Sequence, residues 1–163
     1  MSSAPAFPPG TGVAPMSEVA RISGLAFMQG IRDGRFPQAP LTALLGFGLT
    51  EVENGSAVFA GLPSAAYYNP IGTVHGGWSG VLLDSCMGCA VHSTVSAGEG
   101  FTTLEYKVNC VRAITEQTGP VRAEGTVTSR GRRIATAEGR LVDGAGKVLA
   151  LGSTTCLIFP IGA

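Results

Sequence analysis

The chain has 163 residues, 45% hydrophobic and 13% charged, with a formal net charge of zero. That length suits one domain with a sizeable core, and a charged fraction well below the usual value of about 25% points to self-association. Neutrality argues against bulk attraction to nucleic acid or an anionic membrane, and no stretch reaches the ~18 apolar residues of a membrane helix. Four cysteines without a basic-then-apolar leader suit reduced thiols in a cytoplasm.

Residues 1–16 are rich in Pro, Ser, Gly and Ala and are expected to form a disordered leader, with residues 17–163 as the single domain. From Ser17, a possible N-cap, the residues Val19, Ile22, Leu25, Ala26 and Met28 outline one apolar helical face that Gly34 and Pro37 end. Residues 43–53 and 56–62 read as strands joined by Asn54-Gly55, the favoured dipeptide of a tight hairpin. Pro63, Asn69, Pro70 and Gly72 mark a loop over 63–75. Residues 76–95 then read as one long helix, apolar nearly all round and therefore central. After Gly98 the period shifts towards two, giving strands at 101–114, 120–130, 132–142 and 147–159. The order predicts an α+β fold in which about six antiparallel strands wrap one buried helix, with an extra N-terminal helix.

Charge is unevenly placed. No Lys or Arg lies between Phe36 and Tyr106; Lys107, Arg112, Arg122, Arg130, Arg132 and Arg133 then follow against Glu116 and Glu124. This permits a local anion site, although for any single arginine a solvated strand face is the favoured reading.

The run Asn69 to Asp84 concentrates chemistry. Asp84 is the sole Asp, Glu, Lys or Arg between Glu53 and Glu99, and it falls inside the apolar helix, where an unpaired charge is costly unless functional. Gly76, Gly80, Asp84 and Gly88 recur every four residues as a stripe of small side chains. At the start of the helix the first N–H groups lack intrahelical partners and carry partial positive charge. Glycines at 76 and 77 let a carbonyl or anion approach them, so a carbonyl held there is polarised. Gly76 and Asp84 are eight residues apart, about 12 Å along the axis at 1.5 Å per residue. One helix cannot readily bring both to one carbonyl, whereas two helices of a symmetric dimer can. Two equivalent sites at a dimer interface are therefore expected.

Other motifs carry less. Cys86-Met87-Gly88-Cys89, with His92 nearby, has a redox or zinc spacing but lies mid-helix in an apolar run, which suits core cysteines. No metal site is expected. His92, near the helix end, is expected to interact favourably with the helix dipole. Gly77-Trp78-Ser79-Gly80 lacks the spacing and the strand-to-helix turn of a serine nucleophile elbow.

The segment NPIGTVHGG, Asp84 nine residues after His75, and TTLE after Gly98-Glu99-Gly100 resemble the PaaI-like (phenylacetate-pathway) hotdog-fold thioesterases. The resemblance spans roughly residues 17–160 and includes TGPVRAEG and the stretch from Gly131 to Cys156. It implies a hotdog fold, dimers paired into homotetramers, and hydrolysis of an acyl-coenzyme A substrate without further cofactor. It also implies Asp84 as nucleophile or general base and the Gly76 N–H as carbonyl donor. Asn69 and His75 would position the thioester or water and assist the leaving thiolate, and Thr103 would hold the attacking water. The turn Arg130-Gly131-Arg132-Arg133, with Gly77, would contact coenzyme A; arginine forks suit phosphate oxygens. The alternatives are a non-catalytic acyl-CoA-binding or regulatory protein on the same fold and a hydratase of enoyl thioesters. Phe47, Tyr67, Tyr68 and Trp78 are candidates for an aromatic or medium-chain acyl pocket, or for core packing.

Overall fold

The computed structural model describes residues 9–161. Half of the expected disordered leader, residues 1–8, lies outside them. Of the remainder, Gly10 and Gly12 exchange backbone hydrogen bonds with Gln38, so this part of the leader runs beside the fold. The single helix expected from Ser17 is two: α1, Met16–Val19, and α2, Gly24–Arg32. Ser23 rather than Ser17 is the effective cap, its Oγ accepting from Ala26 N at 3.3 Å. A tertiary bond breaks the path between them, since Gly24 N donates to the Val95 carbonyl. The strand expected from residue 43 begins later. Pro40–Leu45 forms helix α3, with Pro at its first turn and Gly46 in the left-handed region (φ 62°) at its end.

The strands are β1 Phe47–Glu53, β2 Ser56–Gly61, β3 Glu99–Cys110, β4 Val121–Arg130, β5 Ile134–Asp143 and β6 Val148–Pro160. They form one antiparallel sheet in the order β1-β2-β4-β5-β6-β3. Helix α4, Gly76–His92, packs against all six strands, which is the hotdog architecture. It stops three residues before the expected end because Ser93 and Thr94 turn their hydroxyls back onto the Ala90 and Val91 carbonyls. Ser93 Oγ also accepts from Gly55 N, fastening the β1–β2 turn to the helix end.

The helix sits unusually close to the sheet because of a row of small residues. Ala57, Gly125, Gly139 and Gly152 are successive register partners across β2, β4, β5 and β6. A Cβ on Gly125 would lie 2.3 Å from the Cys86 carbonyl oxygen, and one on Gly139 would lie 2.9 Å from Met87 Cγ. Leu82, Leu83, Cys86, Met87 and Val91 are fully buried on this seat. Trp78 and Phe47 are buried in the same core. Trp78 Nε1 donates to the Leu45 carbonyl and Tyr68 Oη accepts from Glu116 N, so these aromatics brace the fold.

On the sheet's outer face Arg122 grips Glu51 through both terminal nitrogens, and Arg122 and Arg140 share Glu124. Such exposed pairs contribute little stability, but they leave these arginines poorly placed for an external anion.

Strand β3 is an edge and carries a bulge between Thr103 and Glu105. The bulge resets which side chains face α4. Phe101 and Thr103 approach Gly88, then Tyr106 approaches Gly80 and Cys110 approaches Gly76. The glycine stripe of α4 therefore receives the edge strand.

Candidate functional site

Asp84 lies half-buried in that stripe. Its Oδ1 accepts a hydrogen bond from Thr103 Oγ1 at 3.0 Å, and no cation pairs with it among the described residues. The carboxylate thus has one hydrogen-bond partner among the described residues, a hydroxyl. The arrangement joins Asp84 and Thr103, two residues singled out in the sequence, through a direct contact between them.

The other half of the site is the N-terminus of α4. His75 is the cap, and its Nδ1 accepts from Gly77 N at 2.9 Å. That bond fixes the ring and, in the neutral imidazole, leaves the proton on the exposed Nε2. It also occupies the Gly77 N–H. The Gly76 N–H has no intrahelical acceptor and no partner among the described residues. Beside it is a pocket of about 280 Å³, lined by Asn69, Thr73, Gly76, Ser79, Cys110 and Ile114 among others. Asn69 shapes this mouth. Its Oδ1 accepts from Ile71 N and Thr73 N, and its Nδ2 donates to Thr73 Oγ1, so its amide is committed to the loop. Cys110 was not legible as a lining residue, because only the β3 bulge gives it the parity that turns it towards Gly76.

Helix α4 runs unbroken from Gly76 to His92, so the axial separation of about 12 Å between Gly76 and Asp84 within one chain holds. The two halves do not converge on a single atom in one chain.

The Arg130–Arg133 turn joins β4 to β5. Arg130 pairs with Glu99 at 3.3 Å and bonds the Gly131 carbonyl. Arg132 and Arg133 are exposed and form no ion pair among the described residues.

In the cysteine motif Cys86 is buried and Cys89 partly buried, and both thiols resist ionisation. Burial pushes the Cys86 thiol up, and burial together with the Asp84 charge pushes Cys89 up to about 12. Among the described residues, no cluster of His, Cys, Asp and Glu is suited to a metal. His92 departs from the helix-dipole expectation. Its ring packs between Phe27 and Phe101, and burial lowers it to about 4, so it is neutral near pH 7.

No helix among the described residues is long and apolar enough to cross a membrane. The chain matches the thioesterase superfamily over residues 71–150. The phenylacetic acid degradation-related protein of Ralstonia eutropha is similar, at 26% identity over 80% of this chain and 98% of that one, with a TM-score of 0.73. The phenylacetic acid degradation protein PaaI of Thermus thermophilus gives 28% identity, 72% and 97% coverage and a TM-score of 0.66. The conserved protein PA5202 of Pseudomonas aeruginosa gives 30% identity, 73% and 93% coverage and a TM-score of 0.68. No curated protein matches the sequence.

Proposed function

Since this chain belongs to the thioesterase superfamily, we propose that it hydrolyses acyl-CoA thioesters to the free acid and CoA, with Asp84 as the driving carboxylate. The observation that carries this reading is the lone Asp84 in an apolar helix face, held by Thr103, on the same helix whose first N–H is unpartnered among the described residues.

The thioester carbonyl oxygen accepts from the Gly76 N–H, where the helix dipole and the hydrogen bond favour developing negative charge. Asp84 then works by one of two routes. As nucleophile it attacks the carbonyl carbon, expels CoA thiolate and leaves an acyl–Asp anhydride that water hydrolyses. As general base it takes a proton from water while the water oxygen attacks, and the same thiolate leaves. The thiolate takes up a proton in either route, and the exposed His75, whose Nδ1 is held by Gly77 N, is the proposed donor through Nε2–H. The Thr103 hydroxyl donates to the carboxylate in the resting chain, and its proposed role in the second route is to accept a hydrogen bond from the attacking water.

Gly76 and Asp84 meet at one carbonyl if two copies pair, so the reading includes a homodimer with two shared sites and dimers assembled further into a tetramer. Two features support it. Strand β3 is a long edge strand, and such edges invite pairing. Leu104 and Tyr106 on it are 54% and 47% exposed. Arg132 and Arg133, free of carboxylates among the described residues, are the proposed contacts for CoA phosphates.

The test is thiol release from acetyl-, hexanoyl-, decanoyl-, phenylacetyl- and benzoyl-CoA by wild type and Asp84→Asn. Release by wild type with loss of orders of magnitude in the variant supports the reading and ranks the acyl groups. Binding without release would favour the non-catalytic alternative.

A further inference from the structure

Thr154 on β6 is 2% exposed, and its hydroxyl donates to the Glu105 carbonyl at 2.7 Å. Glu105 is the first residue after the bulged Leu104, and Thr103 is the last before it. The Thr154 oxygen also lies 4.0 Å from Cys156 Sγ. Because its own proton goes to Glu105, it can only accept from that thiol. Cys156 in turn stands directly opposite Thr103 in the β3–β6 register. The buried hydroxyl therefore grips β3 just after the bulge, at Glu105, and on its own strand reaches Cys156, which faces Thr103 just before it.

The bulge decides what reaches the helix. Regular alternation from Phe101 and Thr103 would turn Tyr106 and Cys110 away from α4, since one residue of slip exchanges the two faces of a strand. Only with Leu104 extruded do Thr103 reach Asp84 and Cys110 reach Gly76 from the same strand. Valine fills the space of threonine and suits a strand as well, so packing alone does not require the oxygen.

We propose that Thr154 is a positioning residue for hydrolysis: its hydroxyl locks the Leu104 bulge and so keeps the Thr103 hydroxyl on Asp84. This rests on the thioesterase reading of Asp84. The test compares Thr154→Val, Thr154→Ser, Thr103→Val and the double valine variant in steady-state thiol release, with amide hydrogen exchange on the same samples. Thr154→Val is expected to lower kcat about tenfold and change KM by less than about twofold. Thr154→Ser should stay within about twofold of wild type, because it keeps the donor. The double variant should be no slower than Thr103→Val, since both changes remove one contact. Exchange should accelerate at residues 104–107 and not across β4–β5. Losses that multiply in the double variant, or an unchanged kcat in Thr154→Val, would overturn the proposal. If Thr154→Val does not fold, Thr154→Ala takes its place in the same cycle. A wild type that releases no thiol would instead refute the thioesterase reading. Exchange then judges the latch alone, and unchanged β3 exchange in the Thr154 variant overturns it.

Discussion

The seat of helix α4 on the sheet can be tested by adding single methyl groups. A Cβ on Gly125 would stand 2.3 Å from the Cys86 carbonyl oxygen and 2.7 Å from Met87 N, both backbone atoms. Ordinary contact begins near 3.4 Å, so helix or strand must shift by roughly 1 Å. Neither rotamer change nor side-chain bending can supply that shift. Overpacking costs about 1–3 kcal/mol, and a backbone obstacle places Gly125→Ala at the upper end, about 3 kcal/mol. For a domain of this size that lowers Tm by roughly 6–12 °C. The same substitution at Gly152 meets the flexible Met87 Cε at 3.1 Å. There the reduced entropy of the unfolded chain offsets the strain, and the change is close to neutral. Gly139→Ala, against Met87 Cγ at 2.9 Å, should fall between them. Urea and thermal melts of the three variants measure the ranking. A Gly125→Ala protein as stable as Gly152→Ala would refute the close seating of α4.

Three further outcomes follow from the side chains. His92 has a folded-state pKa of about 4 against an ordinary 6.5, so the unfolded chain binds more protons between these values. Stability is full above pH 6.5 and falls as pH drops towards 4, by up to about 3 kcal/mol; His92→Gln should flatten that slope in pH-dependent melts, and an unaltered slope would contradict it. Cys110 is exposed while Cys86 and Cys156 are buried, so a thiol reagent should label Cys110 first. Its label should block hydrolysis by crowding Gly76, and Cys110→Ser should resist; inhibition that persists in Cys110→Ser would place the effect elsewhere. The Arg132→Ala/Arg133→Ala pair should raise KM for CoA esters more than it lowers kcat, and an unchanged KM would remove the phosphate role.

Periodicity carried much of the fold. The strands after Gly98, the Asn54-Gly55 hairpin and the central helix are written in local residue order, and their ends differ by a few residues. Helix α3 is masked in the sequence because Leu44 and Leu45 run straight into the apolar start of β1, although Pro40 and Gly46 bracket it as start and stop signals. Ser17 and Ser23 are equally good caps locally, and the Gly24–Val95 bond, a tertiary contact, selects Ser23. The row Gly125-Gly139-Gly152 is scattered in sequence and becomes a row only through strand register. In the site, Asp84 and the helix start were legible because a charge in an apolar helix and paired glycines are local signals. Thr103 came from the family resemblance, and its bond to Asp84 depends on a bulge that no local pattern announces. The commitment of Asn69 to its own loop and of the Gly77 N–H to His75 likewise emerges only from the folded turn.

In the proposed dimer Gly76 of one copy and Asp84 of the other share a substrate carbonyl. Gly76→Pro removes the donor at the first helical position, where proline is tolerated, and Asp84→Asn removes the carboxylate. Each variant alone should be inactive in thiol release. Co-expressed as mixed oligomers, they should regain activity, because a heterodimer contains one site with an intact Gly76 and an intact Asp84. Mixed oligomers that form and remain inactive, or either variant that keeps wild-type turnover, would contradict the shared site.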